Sequence, residues 1–91
     1  MRHRSKTEII TRILEIVNDG SSFGDGGVSK TKIMYKASLS HPQLEEYLVI
    51  LTESDLLSYD GQMRTFKTTE KGLRYLKAYD QIDHLLKEKQ I

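Results

Sequence analysis

Ninety-one residues suffice for a single domain and no more. The absence of cysteine excludes a disulfide framework and a thiolate metal site, and suits a reducing cytoplasm. Formal net charge is +1, with 14 Lys/Arg against 13 Asp/Glu, so bulk charge selects no partner. No run approaches the ~20 apolar residues of a membrane span, and the basic start MRHRSKTEII lacks the apolar core of a signal peptide. Charge is unevenly spread: residues 1–40 hold seven Lys/Arg and four Asp/Glu, residues 41–91 seven and nine.

SKTEIITRILEIVND predicts a first helix over 5–19. Ile9, Ile13, Ile16 and Val17 recur at helical spacing, and Ile10 and Leu14 widen the stripe. Ser5 and Glu8 have capping-box spacing, and Gly20 is the expected stop. Residues 20–28 read as a Gly-rich loop, with Phe23 its one large apolar residue and Val28 a strand of one or two residues. No G-K-[ST] follows at phosphate-loop spacing. Ser29 caps a second helix over 30–37. Ile33, Met34 and Ala37 take one side of it, Lys32, Tyr35 and Lys36 the other. SLS is a turn with Leu39 as its buried plug.

The third helix spans 40–53. Ser40 and Gln43 repeat the capping-box spacing, and Pro42 falls in the first turn, where a missing N–H costs nothing. Leu44, Tyr47, Leu48 and Leu51 form its core stripe. LLSYDGQMRTFKT, over 56–68, reads as a hairpin turning on Asp60-Gly61. Thr69 caps a last helix over 70–89, about 30 Å long.

The stretch KTKIMYKASLSHPQLEEYLVILTESDLL, followed by FKTTEKGLRYL, resembles a small archaeal winged helix-turn-helix family. Its members run close to K-T-x-I-x-Y-x-A-x-L-S, then L-x-x-Y-L, a wing, and T-x-x-G. The resemblance covers roughly residues 5–86, although the Gly-rich stretch at 20–27 is longer than the family's usual first connection. It implies one α+β domain over 1–91, mainly α with a small β-hairpin and a long C-terminal helix. It also implies binding to double-stranded DNA, as a transcription regulator or a nucleoid-associated chromatin protein of the cytoplasm. Several such proteins are homodimers joined through C-terminal helices in an antiparallel coiled coil.

The residues add detail and a conflict. Lys30, Lys32 and Lys36, with Tyr35 among them, form the best basic patch, on the helix that crosses the DNA backbone in a helix-turn-helix. The alternative is a solvated lysine face. The third helix should enter the groove, yet its far face carries Pro42, Glu46, Val49 and Glu53, with Glu45 on the flank. Shallow insertion by the helix start resolves this: Ser40, His41 and Gln43 would touch DNA, glutamine pairing with adenine. Alternatively, Ser40 and Gln43 only cap each other. Arg64 and Lys67 of the wing are candidate phosphate or minor-groove contacts, with Gln62 near the tip. Arg2, His3, Arg4 and Lys6 form either a basic arm or a solubilising end.

In the last helix Leu73 and Leu76 should face their own domain. Tyr75, Tyr79, Ile82 and Leu86 repeat as a coiled-coil seam for a second subunit. The alternative is that this helix curls onto the first. His41 and Glu45 stand i, i+4, but without a third ligand they predict no metal site. No nucleophile motif or marked carboxylate pair is present, so neither a reaction nor a cofactor is expected. A protein-interaction module without DNA binding remains the rival reading, favoured by Glu45, Glu46 and Glu53.

Overall fold

The structure, a computed structural model, describes residues 4–21 and 27–88. In chain order it contains α1 (Lys6–Ser21), β1 (Val28–Ser29), α2 (Lys30–Ala37), α3 (His41–Glu53), β2 (Leu57–Asp60), β3 (Thr65–Thr68) and α4 (Glu70–Glu88). The strands form one antiparallel sheet in the order β1-β3-β2, with Val28 opposite Phe66. The expectations for Arg2, His3, Phe23 and position 89 fall outside the described residues.

α1 begins with a reciprocal cap. Glu8 N donates to Ser5 Oγ at 3.1 Å, and Ser5 N to Glu8 Oε1 at 2.8 Å. The helix does not stop at Gly20; it continues to Ser21. A side chain at Gly20 would overlap Val28 Cγ2, so this glycine serves the close packing of β1 on α1, not a helix break.

α2 starts at Ser29, whose Oγ accepts from Lys32 N at 3.3 Å. It ends in a Schellman arrangement built without glycine. Ser38 takes the left-handed conformation at φ 57°, Leu39 N donates to Met34 O at 3.2 Å, and Ser38 N to Tyr35 O at 3.3 Å. That turn delivers Leu39 into the core, where it is buried. α3 closes in the same way, with Asp55 at φ 63° and Leu56 N donating to Leu51 O at 2.9 Å.

The core is one cluster. Ile13, Leu14 and Val17 of α1 meet Ile33 and Ala37 of α2, and Leu57 and Phe66 close it from the sheet. Leu44, Leu48 and Leu51 anchor α3 to it. Burying each such leucine contributes roughly 1.5–3 kcal/mol relative to exposure. α3 is thereby fixed by one stripe while Pro42, Glu46, Val49 and Glu53 on the other stay exposed.

The wing has a longer tip than a turn on Asp60-Gly61 implies. Asp60 pairs with Thr65, leaving Gly61 to Arg64 as the loop. Asp60 Oδ1 accepts from Gln62 N at 3.0 Å and Met63 N at 3.2 Å, while Arg64 N donates to Asp60 O at 2.7 Å. The aspartate satisfies the loop's own amides, and Arg64 closes it at φ 57°.

Thr69 locks the start of α4: its Oγ1 accepts from Gly72 N at 3.0 Å and donates to Asp55 O at 2.6 Å. Leu76 packs partly on the core, but Leu73, expected to face its own domain, is exposed. The inward position belongs instead to Tyr75, whose hydroxyl meets the buried Thr11 Oγ1 at 3.2 Å. Tyr79 stacks beside it, ring centroids 6.5 Å apart. Farther along, Ile82, Leu85 and Leu86 are 57%, 65% and 62% exposed. Among the described residues no helix is long and apolar enough to cross a membrane.

Candidate nucleic-acid interface

Helical spacing places Lys32, Tyr35 and Lys36 together on the outer face of α2, opposite the buried Ile33 and Ala37. Tyr35 is 84% exposed. Neither Lys32 nor Lys36 joins an ion pair among the described residues. This is a cationic face with an aromatic ring in its middle.

Lys30, the third lysine of the expected patch, behaves differently. Its ammonium is paired with Glu45 Oε2, across the α2–α3 angle. The same oxygen lies 3.4 Å from His41 Nε2, one turn earlier on α3. The Lys30 hydrogen bond is the main reason the Glu45 carboxyl is held below its ordinary value; desolvation opposes it, and the Lys30 and His41 charges add smaller lowering effects. Lys30 is therefore not a free cation, and Glu45 is not a free anion. Glu46 and Glu53 remain exposed and are in no ion pair among the described residues.

Ser40 and Gln43 cap each other. Gln43 N donates to Ser40 Oγ at 3.3 Å, and Gln43 Oε1 accepts from Ser40 N at 3.0 Å and Ser40 Oγ at 3.1 Å. The carboxamide oxygen is thus engaged, leaving the NH2 group as Gln43's outward donor. His41, Pro42 and Gln43 are all exposed at the helix start.

The wing carries Lys67 on its exposed face, opposite Ser58, and Arg64 at its tip beside exposed Gln62 and Met63. Between wing and α3 lies a cleft of about 370 Å³, lined by Lys30, Glu45, Leu48, Val49, Tyr59 and Phe66 among others. Val49 is 50% exposed there.

Arg4, expected in a loose basic arm, is tied down. Its guanidinium donates to Ala37 O at 2.9 Å and Ser38 O at 3.3 Å, where a cation suits the C-terminal end of α2. The expected seam on α4 is divided. Tyr75 and Tyr79 are half-buried beside α1, and Tyr79 lines a cleft with Arg4, Thr11 and Arg12, whereas Ile82 and Leu86 face outward. Among the described residues no cluster of three His, Cys, Asp or Glu could hold a metal.

Two features escaped the sequence. No local signal marks the Lys30–Glu45 pair, whose members are fifteen positions apart, or the Arg4 contact, thirty-three positions apart. Both depend on how helices cross.

A family profile described as winged helix-turn-helix matches residues 3–87, and the chain belongs to that family. The family points to DNA binding as the general activity. No curated protein gives a significant match to the chain.

Proposed function

From a winged helix-turn-helix chain with this surface, we propose a homodimeric regulator that binds double-stranded DNA. The observation that carries the reading is the unpaired Lys32–Tyr35–Lys36 face of α2, beside the exposed start of α3. Lysines there neutralise phosphates without reading sequence. His41 and the Gln43 NH2 group would make the shallow contacts with the duplex, and Arg64 and Lys67 would extend the footprint along the wing. Glu46 and Glu53 support a shallow approach, because deeper entry would press them towards phosphates.

Outward-facing Ile82 and Leu86 support pairing of two α4 ends, joined by Leu85 in place of the inward tyrosines. A two-fold axis would set the reading heads about 34 Å, or a multiple, apart. Changing Ile82 and Leu86 to glutamate would then halve the mass measured by sedimentation.

The direct test is a gel shift with random-sequence duplex at ~50 mM salt, where non-specific binders still hold. Lys32→Ala with Lys36→Ala should weaken every duplex alike and flatten the slope of log K against log salt by about 1.8. Unchanged affinity in that variant would move the DNA surface elsewhere. A footprint confined to one promoter identifies a regulator; uniform coating identifies a chromatin protein. A second reading, a protein-docking module, draws on exposed Glu46, Val49 and Glu53 beside the cleft at the wing. It would be supported by absence of any shift.

A further inference from the structure

The Lys30–Glu45–His41 cluster joins the two helices of the helix-turn-helix through one carboxylate oxygen. The ring of His41 is largely exposed, and its Nε2 is the nitrogen that faces Glu45. Nδ1 is therefore the nitrogen left for another partner. Among the described residues, the charged groups joined in this cluster are Glu45 on the ring's own helix and Lys30 reaching over from α2. Arg4 donates to the Ala37 and Ser38 carbonyls at the end of α2, where Lys36 also stands in the last turn.

On the reading that this face meets DNA, we propose that Glu45 is a positioning residue for the contact: its carboxylate, 3.4 Å from His41 Nε2, draws that nitrogen inward, and the ring takes up a proton at Nδ1 as a phosphate arrives. The imidazolium then lies between two anions, the carboxylate on one side and the phosphate on the other. The phosphate is the anion that DNA adds, and it favours the charged ring; the carboxylate, shared with Lys30 and present before and after, acts by position. One proton per subunit passes from solvent to Nδ1, and no other bond is made or broken. Lys30 opposes the protonation, but its charge is already matched by the same carboxylate.

The Glu45 carboxyl stays ionised through the range in which histidine titrates, since Lys30 holds it below the ordinary 4.5. The negative partner is constant while the ring changes. A residue that reads as a repellent of DNA becomes the group that makes a histidine available to it.

The sign of the coupling follows from linkage. DNA raises the ring's pKa, so affinity increases as pH falls from above the bound value towards the free value, and levels off below it. A rise of about one unit from a nearby anion gives at most about a tenfold gain.

The experiment is fluorescence anisotropy with a labelled random-sequence duplex, at fixed ~50 mM salt, between about pH 5.5 and about pH 7.5. The other two histidines are removed as His3→Gln and His84→Gln, so that His41 is the only imidazole left. Affinity in this background should rise by up to about tenfold at the acid end. Adding His41→Gln should flatten the profile. Adding Glu45→Gln should make it shallower, although that change also removes a negative charge and frees Lys30. Adding Lys30→Met should leave it at least as steep.

A flat profile before His41 is changed, or the same slope after it, overturns the proposal while leaving DNA binding intact. A Glu45→Gln profile identical in slope to its parent, with affinity merely higher at every pH, assigns Glu45 an ordinary repulsive role and also overturns it. Absence of duplex binding at every pH removes the DNA reading and this proposal together.

Discussion

Replacing Gly72 by alanine sets two effects of opposite sign against each other. Gly72 lies in the first turn of α4, and on helix propensity alone alanine stabilises by about 1 kcal/mol. The surroundings oppose it. A Cβ would stand 2.5 Å from Leu56 O and 2.6 Å from Thr68 Cγ2. Ordinary carbon contacts lie near 3.5–4.0 Å, so both neighbours must give way, each by up to roughly an ångström. Leu56 O is poorly placed to do so: it accepts from Thr69 N at 3.1 Å and Thr69 Oγ1 at 3.2 Å, and moving it strains both. Overpacking of this kind costs about 1–3 kcal/mol, and each weakened hydrogen bond adds up to about 1 kcal/mol. The net expectation is a loss of about 1–3 kcal/mol. At roughly 4–8 °C per kcal/mol for a domain of this size, Tm falls by roughly 5–20 °C. Thermal and urea melts followed by circular dichroism, at matched protein concentration, read this directly. A variant as stable as the parent, or more so, would show that Gly72 is an ordinary helical glycine and that T-x-x-G carries no packing requirement.

Arg64 tests whether the wing tip trades stability for a cation. Its left-handed φ of 57° suits glycine better, so Arg64→Gly should gain up to about 1 kcal/mol in urea unfolding while duplex affinity falls. For Lys30→Met the expectation concerns acid stability. The lowered folded-state pKa of Glu45 contributes stability that is present above pH 4.5 and lost as pH falls through the folded value. Removing the lysine should shrink that acid-sensitive increment, and a melting profile against pH unchanged by the substitution would show the pair to be inert.

Local signals were the legible ones. Both capping boxes, Ser5 with Glu8 and Ser40 with Gln43, follow from residues three apart and form as read. The leucine stripe of α3 follows from helical period and is buried. What stayed hidden depends on distant partners. Gly20 carries a stop signal, yet Val28 beside it decides its role. Tyr75 and Leu73 both suit either side of α4, and the choice falls to Thr11, sixty-four positions from Tyr75, which offers a buried hydroxyl. Leucine finds nothing there to satisfy, whereas the tyrosine fills space and ends in a hydrogen bond. The wing turn differs for another reason: Asp60-Gly61 reads as a tight turn, but the Asp60 side chain caps a longer loop.

The same distinction governs the charge pattern of the candidate interface. Counting charges along one helix makes α3 look hostile to a polyanion, because Glu45, Glu46 and Glu53 are summed together. Charge acts through space, and Glu45 is matched by a lysine on another helix, so its field largely cancels beyond the pair. The cancellation costs the basic patch Lys30 as well. What remains is Lys32 and Lys36 on α2 against Glu46 and Glu53 on the outer face of α3, two surfaces of opposite sign on adjoining helices. A duplex drawn to the first is kept from sinking towards the second. On the proposed function, that opposition selects backbone contact with light base contact over deep reading of the groove, and a deeper footprint should follow only when Glu46 and Glu53 are both made neutral.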